Sequence, residues 1–222
     1  GFSPSGKGVL LHCAIFNDSY GPAYFELEHP NRLVGVQVDG VVHRGMGEME
    51  AIRLLKDDRY LVLYNIDGCS WAYEAVFDEE HLVLKLEHVL VGMGEMQMGV
   101  LGSIDYEQES DRFAVSFSTA TSPTQIYTIS GKNRNEIHCH TRERVLGIPQ
   151  RYLSPGEDAS MTSYDGMRIS ARLYLPNPEL GFTEPHPLVY YIHGGPQSPE
   201  RPDFAWFSMP LIQYLTLNGF AV

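Results

Sequence analysis

Asp57-Asp58-Arg59-Tyr60-Leu61-Val62-Leu63-Tyr64, followed by Trp71-Ala72-Tyr73-Glu74, is a polar turn, an apolar run and an aromatic-tagged second run. The same order recurs on both sides of it. Downstream, Ser110-Asp111-Arg112 leads into residues 113–117 and then Gln125-Ile126-Tyr127-Thr128. Upstream, Ser5-Gly6-Lys7 leads into residues 9–13 and then Ala23-Tyr24-Phe25-Glu26. The basic residues Lys7, Arg59 and Arg112 stand 52 and 53 residues apart, and Tyr24, Tyr73 and Tyr127 follow them by 17, 14 and 15 residues. A third marker, Gly-Met-Gly-Glu-Met, occupies 45–49 and again 92–96.

Each run is short, and the last alternates Phe113, Val115 and Phe117 against Ala114, Ser116 and Ser118, the period of a half-buried strand. A period of about 50 residues with several strands per unit and no long helical pattern predicts β-propeller blades, small sheets that bury their faces on one another. About three blades are expected within residues 1–148. Closed propellers take ~4 to 8 blades, so further blades are expected outside this sequence. An ordinary antiparallel meander is the competing reading. The Gly-Met-Gly-Glu-Met segments are expected as inter-strand turns, with glycine supplying positive dihedral angles and methionine filling gaps between blades.

Composition narrows the function classes. The 222 residues are 43% hydrophobic and 20% charged, the balance of a folded globular chain. No apolar stretch approaches the ~20 residues of a membrane-spanning helix. Sixteen basic against 28 acidic side chains give a net charge of −12, which repels nucleic acid and anionic lipid; neither is expected as a partner. Cys13, Cys69 and Cys139 lie far apart, so neither a disulfide framework nor a Cys-x-x-Cys metal site is predicted, and a reducing, cytoplasmic compartment is the expectation. In a strand, His138 and His140 of His138-Cys139-His140 share a face, but no further ligands stand at a zinc spacing and Arg134, Arg142 and Arg144 crowd the segment. No metal and no cofactor is expected. A homo-oligomer is compatible with the sequence. The chain opens without methionine and closes on an apolar run, Gly219-Phe220-Ala221-Val222, which suggests a fragment of a longer protein.

From residue 149 the texture changes. Pro149, Pro155 and Gly156 read as a connector, and Ser163-Tyr164-Asp165-Gly166-Met167 carries an Asp-Gly hairpin signal. Residues 168–175 alternate Ile169, Ala171, Leu173 and Leu175 against polar neighbours and are predicted as a half-buried strand. Residues 188–192, Leu-Val-Tyr-Tyr-Ile, read as a strand buried on both faces of a mainly parallel sheet, ending in His193-Gly194-Gly195-Pro196. A helix is predicted with Ser208 as cap, Pro210 in its first turn, Leu211, Ile212 and Leu215 inward, and Asn218-Gly219 as its stop. Strand, glycine loop, helix and strand form a βαβ unit, with the glycines at the carboxyl edge of the sheet.

That placement suits acyl transfer, where backbone amides aimed at a developing oxyanion contribute ~3–4 kcal/mol per donor. In α/β-hydrolases one donor comes from the loop between the third strand and the first helix. Met161-Thr162-Ser163-Tyr164-Asp165-Gly166, Ala171-Arg172-Leu173-Tyr174-Leu175-Pro176, residues 187–196 and Asn218-Gly219-Phe220-Ala221-Val222 together resemble the opening of the catalytic domain of prolyl oligopeptidase family serine peptidases. The resemblance covers residues 161–222, and that family carries a β-propeller ahead of its hydrolase domain. The His-Gly-Gly-Pro spelling is closer to the acylaminoacyl-peptidase and dipeptidyl-peptidase-like branches. Where other branches have an oxyanion-binding tyrosine, His193 stands here, so the resemblance implies that the amides of Gly194 and Gly195 contribute, with His193 bracing the loop.

The fold expected is therefore propeller blades over 1–148 and, over 149–222, a linker and the start of an α/β-hydrolase domain. The function expected is that of a fragment of a serine peptidase acting on short peptides. No Gly-x-Ser-x-Gly elbow occurs in the sequence, and Ser198 lacks the following glycine, so serine, acid and histidine are expected beyond Val222 and the chain itself is expected to be inert. Two rivals remain: a non-catalytic propeller used as a binding module, and a carboxylic-ester hydrolase.

Overall fold

A computed structural model describes residues 1–194 and 199–222. Three sheets, antiparallel but for one short edge strand, follow one another in the chain. The first contains β1 (Gly8–Cys13), β2 (Gly21–Glu26) and β3 (Val34–Gly35), in that order, with Phe2 bridging Val9 at the free edge of β1. The second is built from β4 (Gln37–Asp39), β5 (Gly47–Lys56), β6 (Arg59–Ile66), β7 (Cys69–Asp78) and β8 (Val83–Val91), ordered β4-β8-β7-β6-β5. The third runs β12-β11-β10-β9 and comprises β9 (Gly99–Glu107), β10 (Arg112–Thr119), β11 (Gln125–Ser130) and β12 (Glu136–Cys139).

The repeat in the sequence is a repeat in space. The apolar runs fall in β1, β6 and β10, and the aromatic-tagged runs in β2, β7 and β11. The bridge at Phe2 stands where β5 and β9 stand in the later sheets, next to the strand that follows the polar turn. The turns form because small polar residues tolerate the left-handed conformation: Asp57 and Asp111 have φ of 56° and 52°, and Asp67 and Gly68, both at positive φ, close the β6–β7 hairpin as a two-residue turn.

Burial explains why residues 60–64 are almost wholly apolar while β10 alternates. The middle sheet is covered on both sides. Tyr60, Val62, Tyr64 and Ile66 of β6 join Leu10 and Tyr24 of the first sheet in one core, whereas Leu61 and Leu63 join Phe113, Val115 and Phe117 of the third sheet in another. Met49 and Met96, the final residues of the two repeated methionine motifs, are 1% and 0% exposed and fill the first and second of these cores respectively, while Met46 and Met93 face outward. The segment 92–96 is a turn that includes a short 3-10 helix ahead of β9, whereas the first motif departs from the expected turn: Gly45 takes a positive φ, but Gly47, Glu48 and Met49 already pair with β6 as the start of β5. Strand β4, which adds in parallel to the outer edge of β8, was not visible in the sequence.

The last third is less regular. Strands β13 (Glu157–Asp158) and β16 (Arg172–Leu173) pair with each other, as do β14 (Met161–Thr162) and β15 (Arg168–Ile169). The single strand expected over 168–175 is therefore divided, and its phase is corrected: Tyr174 is 5% exposed and Ile169 and Leu175 lie at the surface. Tyr174 sets the phase because its ring joins a third core with Ala120, Met209, Ile212 and Val222, and its backbone exchanges both hydrogen bonds with Val222. Residues 188–192 are also corrected. Leu188, Tyr190 and Ile192 are 64%, 73% and 75% exposed, because among the described residues only the chain at Ala221 pairs with this segment, through one parallel bridge, and only Val189 reaches the third core.

Helix α1 (Ser208–Leu217) lies between those bridged segments. It ends at Asn218, with Gly219 at φ 88°, as expected. Its start differs. Ser208 is the first helical residue rather than the cap, is fully buried, and donates its hydroxyl to Glu200. Leu211 faces outward, and Met209 and Ile212 take the inward positions with Gln213, whose amide donates to the carbonyls of Ala120 and Ser154 at 2.8 and 2.7 Å.

Candidate functional site

The backbone at 220–222 has two neighbours. On one side Tyr174 pairs with Val222 antiparallel; on the other, Val189 donates to Ala221 O at 2.8 Å and Ala221 donates to Pro187 O at 2.9 Å. The order is an antiparallel edge, a middle segment and a parallel neighbour, with α1 as the crossover. His193 follows the parallel segment by four residues. Its ring is half-buried and its Nδ1–H donates to Gly194 O at 2.5 Å, so the imidazole is turned onto its own loop. A Cβ placed on Gly194 would meet nothing within 4 Å, which leaves space over its backbone. Gly195, and with it Pro196, Gln197 and Ser198, lies outside the described residues.

Beyond the loop the chain is seated on the turns of two sheets. Arg201 donates from Nε to Gly68 O at 2.9 Å and from Nη2 to Ser70 Oγ at 2.8 Å, and its Nη1 stands 3.6 Å from Glu50. Ser118 donates to Asp203, and Phe204 N donates to Thr119 O at 3.1 Å. Two more arginines reach the same β6–β7 turn: Arg168 forms a two-point ion pair with Asp67, and Arg172 approaches Asp67 O and Cys69 Sγ. Burial pushes the Cys69 thiol pKa up, against the pull of Arg172 and Arg201. None of these three arginines was singled out from sequence. The available signal was Arg201 held between Pro199 and Pro202, and an Asp-Gly turn with no visible partner.

A cavity of about 190 Å³ opens between β5 and β9, lined by Glu50, Arg53, Ser70, Trp71, Ser103 and Asp105. A larger groove of about 890 Å³, bordered by Lys7, Tyr24, Glu26, Arg32 and Glu79, takes no lining residue from beyond Leu82 and so is separate from the glycine loop. His138 and His140 lie exposed at the outer edge of the third sheet, where His140 Nε2 is 2.8 Å from Thr128 Oγ1. Among the described residues no three His, Cys, Asp or Glu side chains are placed to hold a metal ion.

The repeated sheets, of three, five and four strands, define a propeller-type protein. No family model and no curated protein matches the chain. Solved structures do. It is similar to prolyl oligopeptidase B from Galerina marginata in its apo form, at 14% identity and a TM-score of 0.66, over 98% of this chain and 29% of that one. It is similar to a prolyl endopeptidase studied for inter-domain dynamics in catalysis and specificity, at 14% identity and 0.68, over 97% and 29%. It is also similar to a puromycin-hydrolysing peptidase from Mycobacterium tuberculosis, at 17% identity and 0.66, over 97% and 31%. At these identities the likeness establishes the fold, that of the corresponding part of prolyl oligopeptidase-type structures. The chain spans less than a third of each of these peptidases.

Proposed function

We propose that this chain is part of a serine peptidase that cleaves short peptides, of acylaminoacyl or dipeptidyl type. Residues 1–148 supply propeller blades, and 149–222 supply the linker and the first strands of an α/β-hydrolase domain. The observation that carries the reading is the backbone order at 174, 220–222 and 187–189. An antiparallel edge beside a parallel pair joined by a helix is how a mixed α/β sheet begins, and the glycine loop lies past its carboxyl edge. The fold likeness to prolyl oligopeptidase-type structures, over 97–98% of the chain, supports the reading.

In this mechanism a serine supplied by the polypeptide beyond Val222 attacks the peptide carbonyl, with a histidine as general base. The amides of Gly194 and Gly195 stabilise the oxyanion, and His193 braces the loop by its bond to Gly194 O. The propeller restricts access to small substrates. A reducing compartment suits three cysteines that are all free.

The test is kinetic. Gly194→Val in the full-length protein, with its melting temperature measured alongside, should lower kcat by ~10²-fold and leave KM nearly unchanged. Unaltered turnover of short peptides would remove the oxyanion role, and turnover of esters alone would reassign the substrate.

A further inference from the structure

We infer that the groove of about 890 Å³ between the first and second sheets is a binding site for a short peptide carrying a basic side chain. That volume is within the ~300–1,000 Å³ of ordinary ligand sites and holds a segment of a few residues. Its walls are the turns at Ser5 and Lys7 and at residues 28–32 of the first sheet, and the β7–β8 turn of the second. Asp67 and Gly68, ahead of β7, receive Arg168 and Arg201, whereas Glu79 and Glu80, past its other end, line the groove. The ten extended residues between them span about 30 Å at ~3.3 Å each, so the assignment does not rest on the peptidase reading.

Glu79 is a fixed anion in the groove wall. Its Oε1 accepts from Ser3 Oγ at 2.6 Å, Tyr24 Oη at 2.7 Å and Ser5 Oγ at 2.8 Å, and its Oε2 accepts from Ser5 N at 3.1 Å. Burial pushes its carboxyl pKa up, but these donors outweigh burial and hold it below the ordinary value. Burial and the neighbouring Glu79 push the Tyr24 phenol up to about 12, so it remains a donor. With a single donor on Oε2, Glu79 keeps acceptor capacity for a ligand. Glu28 and Glu80 add two exposed carboxylates, and Glu26 is engaged by His29 at 3.1 Å. Against these carboxylates the lining sets only Lys7 and Arg32 as full cations, so its balance is negative. A basic side chain suits both halves of this surface. Its head meets the carboxylates, and its aliphatic stem covers Val34 and Leu82, which pack against the first core. Lys7 and Arg32 in turn offer donors to peptide carbonyls or a terminal carboxylate, which a bare cation would leave unused.

The experiment measures fluorescence anisotropy of labelled Ala-Arg-Ala-Lys-Ala, with Ala-Glu-Ala-Glu-Ala as its counterpart, on the full-length protein. A fluorophosphonate blocks any serine nucleophile beforehand, and mass spectrometry checks that the peptides stay intact. The expected result is saturable binding of the basic peptide, at least ~10-fold tighter than the acidic one. Glu28→Lys combined with Glu80→Lys reverses two exposed charges, so the protein should keep its melting temperature and lose ~10-fold or more in affinity for the basic peptide. The control, Glu87→Lys combined with Glu109→Lys, makes the same change in net charge at exposed positions outside the groove and should stay within about twofold of wild type. No saturable binding, equal binding of the acidic peptide, or an equal loss in the control pair would overturn the assignment.

Discussion

Arg134, in the turn between β11 and β12, donates from Nε to Glu74 Oε2 at 2.6 Å and from Nη2 to Glu74 Oε1 at 2.9 Å, joining the third sheet to β7 of the second. Both side chains are almost fully buried, at 2% and 3% exposed. Glu74 also pairs with Arg59 at 2.9 Å, and Asp111 accepts from Arg59 and Arg134 at 2.9 and 3.0 Å. Two guanidiniums and two carboxylates therefore neutralise one another between the blades, beside the Phe113 ring. Removing Arg134 takes both of its bonds from the buried Glu74 carboxylate and leaves Arg59 as the one cation paired with it. Arg134→Met should destabilise by ~3–5 kcal/mol, while Glu74→Leu combined with Arg134→Met should cost less than Arg134→Met alone, in urea unfolding monitored by tryptophan fluorescence.

His43, between β4 and β5, is packed against the rings of Tyr64, Trp71 and Tyr73, with Nδ1 2.7 Å from Tyr73 Oη. Burial lowers its pKa from the ordinary 6.5. The unfolded chain then binds a proton more readily than the folded one, so stability is complete above about pH 6.5 and falls as pH drops through that value toward the lowered folded pKa. His43→Gln, which does not titrate, should flatten the decline of melting temperature between about pH 6.5 and 5. An unchanged slope would assign the acid sensitivity elsewhere.

Gly92, at φ 119°, ends β8 against Trp71, whose ring would lie 2.3 Å from an added Cβ. Neither the backbone nor the indole accommodates a side chain there. Gly92→Ala should cost ~2–4 kcal/mol by thermal or urea unfolding, combining backbone strain with overpacking.

Much of the propeller was legible because its determinants are local and repeated. A polar turn, an alternating or doubly buried run and an aromatic tag recur within one sheet's length, and each is set by neighbours close in sequence. Strand β4 was not legible, since three residues joining an edge in parallel leave no periodic trace. The Glu74–Arg134 and Arg201–Gly68 contacts join residues 60 and 133 positions apart, and a charged residue carries no mark of such a partner in its own segment. In the last third, the pattern at 168–175 suggested a continuous strand, yet one packed ring, Tyr174, decided the phase. The apolar run at 188–192 was read for what a complete sheet does with such residues, and most of it lies at the surface here. Of the glycine loop, the sequence offered the chemistry and the position after an apolar run; the seat on the propeller came only from the structure.

The central claim is that these blades and this glycine loop belong to a serine peptidase. The most direct measurement treats the full-length polypeptide with a fluorophosphonate, locates the modified residue by peptide mass mapping, and assays short-peptide cleavage before and after. The account predicts one labelled serine in a Gly-x-Ser-x-Gly segment beyond Val222, with cleavage abolished in proportion to labelling. Absence of labelling in a folded full-length protein, or labelling that leaves peptide cleavage intact, would contradict it.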